Sequence, residues 1–267
     1  MQWRAPETLP VVWPRTTARP MTGAVELLLA EATEGRLMSR PERASHVIAA
    51  MFDTVDGAAT MPPLVRALGS GVRAWLLCRA ALMTGQDRGW YQAQCHVCGM
   101  DYDFQLTLDQ VPQGRAGAGY PVVEVATSLG QRRFEAPNGG HEEALAQSGT
   151  GDPRRVLVAL MGLAETAFAD ADAFSEPDLV VIEATLDDAT PDIGDRISAI
   201  CPACHAVTEA LVDPLSFAFP RADDLLRETH LIARAYGWRE GAILALPSPR
   251  RRSYARLIAA ESRGGVR

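Results

Sequence analysis

Four of the five cysteines in this 267-residue chain sit in two short turns, Cys95-His96-Val97-Cys98 and Cys201-Pro202-Ala203-Cys204. A CxxC turn points two thiolates at one centre, and two such turns supply the four sulfurs of a tetrahedral zinc site, each about 2.3 Å from the metal. Each turn is followed by a strand pattern, Met100 to Leu108 after the first and Ala206 to Val212 after the second, and Trp90 to Cys95 reads as a strand leading into the first. In the first pattern Tyr102, Phe104, Leu106 and Leu108 alternate with Asp101, Asp103, Gln105 and Thr107, which gives one buried face and one wet face. A metal held by Cys95, Cys98, Cys201 and Cys204 ties together two places with residues 99–200 between them. The chain between must leave the site and return to it. The expected fold is therefore α+β, mainly helical, with a split four-cysteine zinc-ribbon-like β unit and an inserted α/β segment.

Thiols serve as ligands where they stay reduced. No apolar run approaches the ~20 residues of a membrane span, and residues 1–20 lack the apolar core and small-residue cleavage pattern of a secretory signal. The expectation is a cytoplasmic protein with no membrane partner, in which paired cysteines bind metal rather than form disulfides. Four thiolates close the coordination shell and leave no position for water, so the zinc is expected to be structural. His96 and His205, inside and beside the turns, are alternative ligands; the four cysteines are the simpler set. The formal net charge of −7 opposes phosphate binding, and an aromatic content of 6% is meagre for base stacking, so nucleic acid is not the expected partner.

Five segments follow from the punctuation of the chain. Residues 1–20 carry Pro6, Pro10, Pro14 and Pro20 with Trp3 and Trp13 between them, either a disordered tail or an extended arm whose tryptophans dock on a partner. Residues 21–108 hold helices and the first knuckle. One helix starts at the N-cap Thr22, and another opens at Ser39 with Pro41 and a capping box to Glu42. A short helix follows Pro62-Pro63, and Val72 to Met83 forms an apolar helix that Gly85 stops. Cys78 on that helix reads as a small core residue. Residues 109–192 form the insertion, with a hairpin around Thr127-Ser128-Leu129-Gly130 and helices starting near His141, at Asp152-Pro153 and at Ser175. Residues 193–213 bring in the second knuckle, and residues 214–267 form a helical tail broken at Tyr236-Gly237-Trp238 and recapped at Ser248-Pro249.

No P-loop, G-x-S-x-G or H-E-x-x-H motif occurs. His141-Glu142-Glu143 reads as a solvated helix start, and Asp187-Asp188 and Asp223-Asp224 read as wet faces or first turns. The expectation is a protein that is not an enzyme. In the tail, Arg250-Arg251-Arg252 stands out from an acidic chain, either as cations on a surface helix or as an interaction patch. Tyr236, Trp238 and Tyr254 nearby are residue types enriched in interface hot spots, and together with the arginines they form the candidate interaction set.

The segment from Leu226 through Tyr236-Gly237-Trp238 and Ile243-Leu244-Ala245-Leu246-Pro247 to Arg250-Arg251-Arg252-Ser253-Tyr254 resembles a C-terminal signature of tail-assembly and baseplate proteins. These belong to contractile phages and phage-derived injection systems. Upstream, a Leu-rich helix, Thr84-Gly85, a CxxCG knuckle and an alternating strand are similar to the T-even phage baseplate hub/assembly family. The resemblance departs at His205, where glycine is usual, and does not extend to the Pro-rich arm. It implies a non-enzymatic part in building a baseplate or hub, with other baseplate, hub or tail proteins as partners and incorporation into a phage-like particle as one destination. The alternative is a zinc-ribbon nucleic-acid-binding regulator, supported by the four-cysteine set and the arginine triplet. A thiol redox enzyme is disfavoured because both CxxC turns lead into strands, whereas redox motifs open a helix.

Overall fold

Helices begin where side chains can satisfy the first free backbone N–H groups. In the computed structural model, which describes residues 2–35, 37–84, 88–108, 112–149, 151–194, 196–211, 213–216 and 219–264, the Thr22 hydroxyl accepts from the Val25 N–H and opens α1 (Gly23–Glu34). Ser39 and Glu42 form the reciprocal capping box of α2 (Arg40–Met51), with Pro41 in its first turn. Gly85, expected to stop the apolar helix, and Val212, expected to end the last strand, lie outside the described residues.

About 51% of the chain is helical and its sheets are small and antiparallel, an α+β architecture. After α2 the chain turns directly into β2 (Phe52–Val55) and β3 (Ala58–Ala59), and β1 (Thr16–Ala18) pairs on the other side of β2. The connecting Asp56-Gly57 adopts positive φ at both positions (48° and 79°), the conformation that the tightest hairpin turns require. α3 (Pro62–Ala67) and α4 (Ser70–Met83) complete the first body. Its core is built from α1, α2, β2, α3 and α4, with Leu29, Val47, Ile48, Val65, Leu68, Val72 and Leu76 all fully buried. Each such aliphatic side chain contributes about 1.5–3 kcal/mol.

β4 (Arg88–Gln94) and β5 (Asp101–Thr107) carry the first knuckle at their tip. The following segment has its own core, composed entirely of residues between Val123 and Ala189. It comprises the hairpin β6 (Val122–Thr127) and β7 (Gly130–Glu135), then α5 (Gly139–Gln147), α6 (Pro153–Met161), α7 (Ala167–Ala173) and α8 (Glu176–Ala189). Its outgoing and returning limbs meet at a neck. Gln113 bridges Ile193, the Gly114 N–H donates to the Asp192 carbonyl at 2.6 Å, and the Gly194 N–H donates to the Pro112 carbonyl at 2.8 Å. Gly71 at the start of α4 approaches this neck so closely that a Cβ there would overlap the Pro191 carbonyl oxygen. On either side of the neck, Leu108 and Ile193 return to the first core. The second knuckle then sits between β8 (Arg196–Ile200) and β9 (Val207–Leu211). The chain ends in α9 (Ala222–Tyr236), α10 (Glu240–Leu244) and α11 (Ser248–Gly264), packed around Ile232, Ile243 and Ile258.

Two expectations need correction. The Pro-rich N-terminal segment is neither a tail nor free to offer its tryptophans to a partner. Trp3 bridges Ala164 and lies under the Arg133 guanidinium, the Glu7 and Thr8 N–H groups donate to Glu135, and Trp13 packs on Trp75 with ring centroids 5.9 Å apart. It straps the inserted segment to the first body. His141-Glu142-Glu143 is not a solvated start either. Asn138 caps α5, with His141 as its reciprocal partner, and both His141 and Glu143 are buried. No described helix is long and apolar enough to cross a membrane.

Candidate metal centre

Both CxxC turns fold as the same knuckle. In the first, the Cys95 N–H donates to the Met100 carbonyl (2.9 Å) and the Gly99 N–H donates back to the Cys95 carbonyl (2.8 Å). In the second, the Cys201 N–H donates to the Ala206 carbonyl and the His205 N–H to the Cys201 carbonyl, each at 3.0 Å. Gly99 and His205 are thus equivalent positions, and both take the left-handed conformation, at φ 72° and 58°. Residue 205 stands where glycine is expected because the knuckle needs positive φ there. Histidine is one of the residues that tolerates it.

The two knuckles face one another. The sulfurs of Cys95, Cys98, Cys201 and Cys204 all lie within 4.8 Å of each other. Across the site, Cys95 Sγ and Cys204 Sγ are 3.6 Å apart, and Cys98 Sγ and Cys201 Sγ are 3.7 Å apart. A tetrahedron with metal–sulfur distances of about 2.3 Å has edges of about 3.8 Å, so the sulfurs are spaced to hold one metal ion. His96 and His205 are not in the cluster. Cys95 and Cys201, the first cysteine of each turn, are buried, whereas Cys98 and Cys204 are exposed. Behind the sulfurs, Ala93, Cys95, Tyr102 and Cys201 form a small core of their own, and the Tyr102 hydroxyl hydrogen-bonds Thr208 across the two hairpins. The hairpins remain two separate two-stranded sheets.

The electrostatics favour a cation here. N–H groups of Cys98 and Val97 aimed at the Cys95 sulfur lower its pKa to about 6. The Ala206 N–H likewise favours the Cys204 thiolate, but partial desolvation against the cluster and the three neighbouring sulfurs outweigh it and push that pKa up to about 12. One thiolate is easy to form and the fourth is not, unless a divalent ion offsets the accumulated charge. Cys78 is far from this chemistry, in the first core on α4.

The candidate interaction residues divide into two groups. Tyr236, Trp238 and Tyr254 converge, with ring centroids 5.3 to 5.8 Å apart, and the Arg250 guanidinium lies over Tyr254. Arg251 is turned inward and Arg252, its side chain 44% exposed, also reaches Glu26, which corrects the reading of the triplet as one exposed patch. Arg251 is 1% exposed and pairs with Glu26 on α1 and Glu228 on α9; Arg252 donates to the other Glu26 oxygen at 2.7 Å.

Sequence reasoning missed a polar cleft of about 550 Å³ between α3, α5 and β7, lined by Arg66, Glu135, His141 and Glu143. His141 Nδ1 accepts from the Asn138 N–H, and its Nε2 lies 3.5 Å from Glu135 Oε1, so both ring nitrogens already have partners. Burial tends to raise the Glu135 pKa, but hydrogen bonds from His141 and Thr8 prevail and hold it below the usual carboxylate range. Glu143 accepts from Ser45 at 2.5 Å and Arg66 at 2.6 Å. Both buried acids of the cleft therefore hold elements together. The one available clue was Asn138 standing three residues before His141, a cap with an unusual partner. Comparison with protein-family models, curated proteins and solved structures finds no match to this chain.

Proposed function

We propose that the chain is a non-catalytic structural or assembly component of a phage-like contractile-tail baseplate or hub, stapled by one structural zinc ion. The observation that carries the staple is the four-sulfur cluster, assembled from turns 103 positions apart at Cys98 and Cys201. Zinc suits four thiolates in a tetrahedron, and the closed shell leaves it a structural rather than a catalytic task. The paired knuckles and their hairpins fit a zinc-ribbon-like unit whose two halves come from distant parts of the chain. The tail context rests on the resemblance of residues 226–254 to the baseplate signature, and the aromatic cluster falls within that stretch. In the polar cleft, Glu135, His141, Glu143 and Arg66 are engaged with each other or with neighbouring backbone, which supports a scaffold reading over an active site.

The nucleic-acid alternative drew on the arginine triplet. With Arg251 and Arg252 committed to Glu26, one arginine of the three is left to meet phosphate. Two measurements test the proposal together. Elemental analysis of the purified chain should give one zinc per molecule, and affinity capture of the full chain from its native host should recover tail or hub proteins. Iron in place of zinc, or capture of nucleic acid without tail proteins, would contradict it.

A further inference from the structure

α9 ends at Tyr236 because Gly237 takes φ 68°, and Trp238 follows the turn. Tyr254 on α11 completes a three-ring cluster, and Tyr236 and Trp238 remain 42% and 37% exposed. Centroid distances of 5.3 to 5.8 Å are those of rings packed on one another, so the cluster is filled and is not a cage for an ammonium group. Arg250 is fixed against it, with its guanidinium 5.8 Å from the Tyr254 centroid and Nη2 donating to the Tyr254 hydroxyl at 3.3 Å.

This face also carries unpaired positive charge beside its rings. Arg251 and Arg252 are matched by Glu26 and Glu228, whereas Arg250 has no carboxylate partner among the described residues. The same holds for Arg234 and Arg239, exposed on either side of the Gly237 turn. A chain of net charge −7 thus places unmatched arginines beside its exposed aromatic cluster. We infer that this face docks an acidic segment of a partner protein, a stretch with two or more carboxylates beside an apolar side chain. The inference rests on the scaffold reading and gives its partner a chemistry. Carboxylates match the planar forks of arginine, and Arg250, already held by Tyr254, loses little freedom on binding. The rings cover the apolar residue and exclude water from the ion pairs, the arrangement of an interface hot spot. A short acidic segment need touch only these arginines, whereas a phosphate polymer runs on past them over the acidic remainder of the surface, which opposes it.

The test titrates the full chain against a labelled peptide of alternating Asp, Glu and Leu, its Asn/Gln counterpart, and a single-stranded oligonucleotide. Saturable binding of the acidic peptide is expected, weakening with salt and falling about tenfold in Arg250→Gln and in Trp238→Ala. It should be unchanged in Arg227→Gln, more than two turns earlier on α9. Thermal melts establish that the surface variants fold. Absence of acidic-peptide binding at low salt, equal affinity in the parent and both variants, equal binding of the neutral peptide, or displacement of the peptide by less oligonucleotide would each overturn the inference. These titrations read the surface alone and zinc content reads the scaffold, so the failure of one is distinguishable from the failure of the other.

Discussion

At Gly99 and His205 the same backbone task is given to two different residues. Nothing stands within 4 Å of a Cβ built on Gly99, so Gly99→Ala meets no clash and costs only the strain of its left-handed backbone, about 1 kcal/mol. His205 already bears that strain, at φ 58° with an exposed side chain. His205→Gly should therefore stabilise the metal-loaded protein by about 1 kcal/mol, after allowing for the extra freedom of glycine in the unfolded chain. Urea unfolding of the two variants checks the pair. Destabilisation by His205→Gly would mean that the imidazole does something at the site beyond tolerating the turn.

Among the elements, α11 and α8 depend on charges that the sequence presents in very different ways. Arg251 and Glu26 are both almost completely buried, and they join α11 to α1 across 225 positions. Breaking such a pair from one side leaves a buried charge, so Glu26→Gln should cost about 3–5 kcal/mol in urea unfolding. Arg250→Gln, at the surface, should cost less than about 1 kcal/mol. Similar losses for both would refute the inward orientation of Arg251. At α8, Asp178 caps its own helix with Ser175 and also accepts from the Ser128 hydroxyl and N–H of the β6–β7 turn. The Ser128 and Ser175 hydrogen bonds hold its carboxyl far below the usual range. Glu135 is depressed as well. A carboxyl with a lowered folded pKa contributes stability that is complete above its unfolded value, about 4, and is lost as the pH falls through the folded value. The melting temperature should fall on acidification below about pH 5, and less steeply in Asp178→Asn than in the parent. Parallel slopes would remove Asp178 from the account.

These elements also divide what a sequence can reveal from what it cannot. Ser39, Asp152 and Ser175 were readable as caps because each acts on backbone two or three residues away. The cysteines were readable because few residue types build a tetrahedral sulfur site. Arg251 was not, since an arginine on a polar helix looks the same whether it faces water or a carboxylate on α1. The partner is chosen by tertiary packing. Asp56-Gly57 was a local signal for the β2–β3 hairpin that the neighbouring helical pattern of α2 obscured. The fate of Trp3 and Trp13 was beyond reach for the same reason as Arg251, because proline fixes an extended backbone but not the surface it lies on.

Taken as a whole molecule, the chain is a helical body with a second body inserted between its two knuckles, strapped by residues 3–18 and closed at a neck where Gln113 meets Ile193. Each knuckle begins or ends one limb of the excursion. Losing one ligand should release both limbs together, so Cys201→Ser is expected to expose the segment around residues 112–194 to proteolysis and to speed amide exchange at the neck. Protection equal to that of the parent would count against a staple. The most direct test is thermal unfolding of the purified chain with its zinc counted before and after a strong chelator. One zinc per chain is expected, with a melting temperature that drops when the metal is removed and recovers when zinc is restored. A chain that carries no zinc as isolated, or melts identically with and without it, would contradict the claim that a metal holds this fold together.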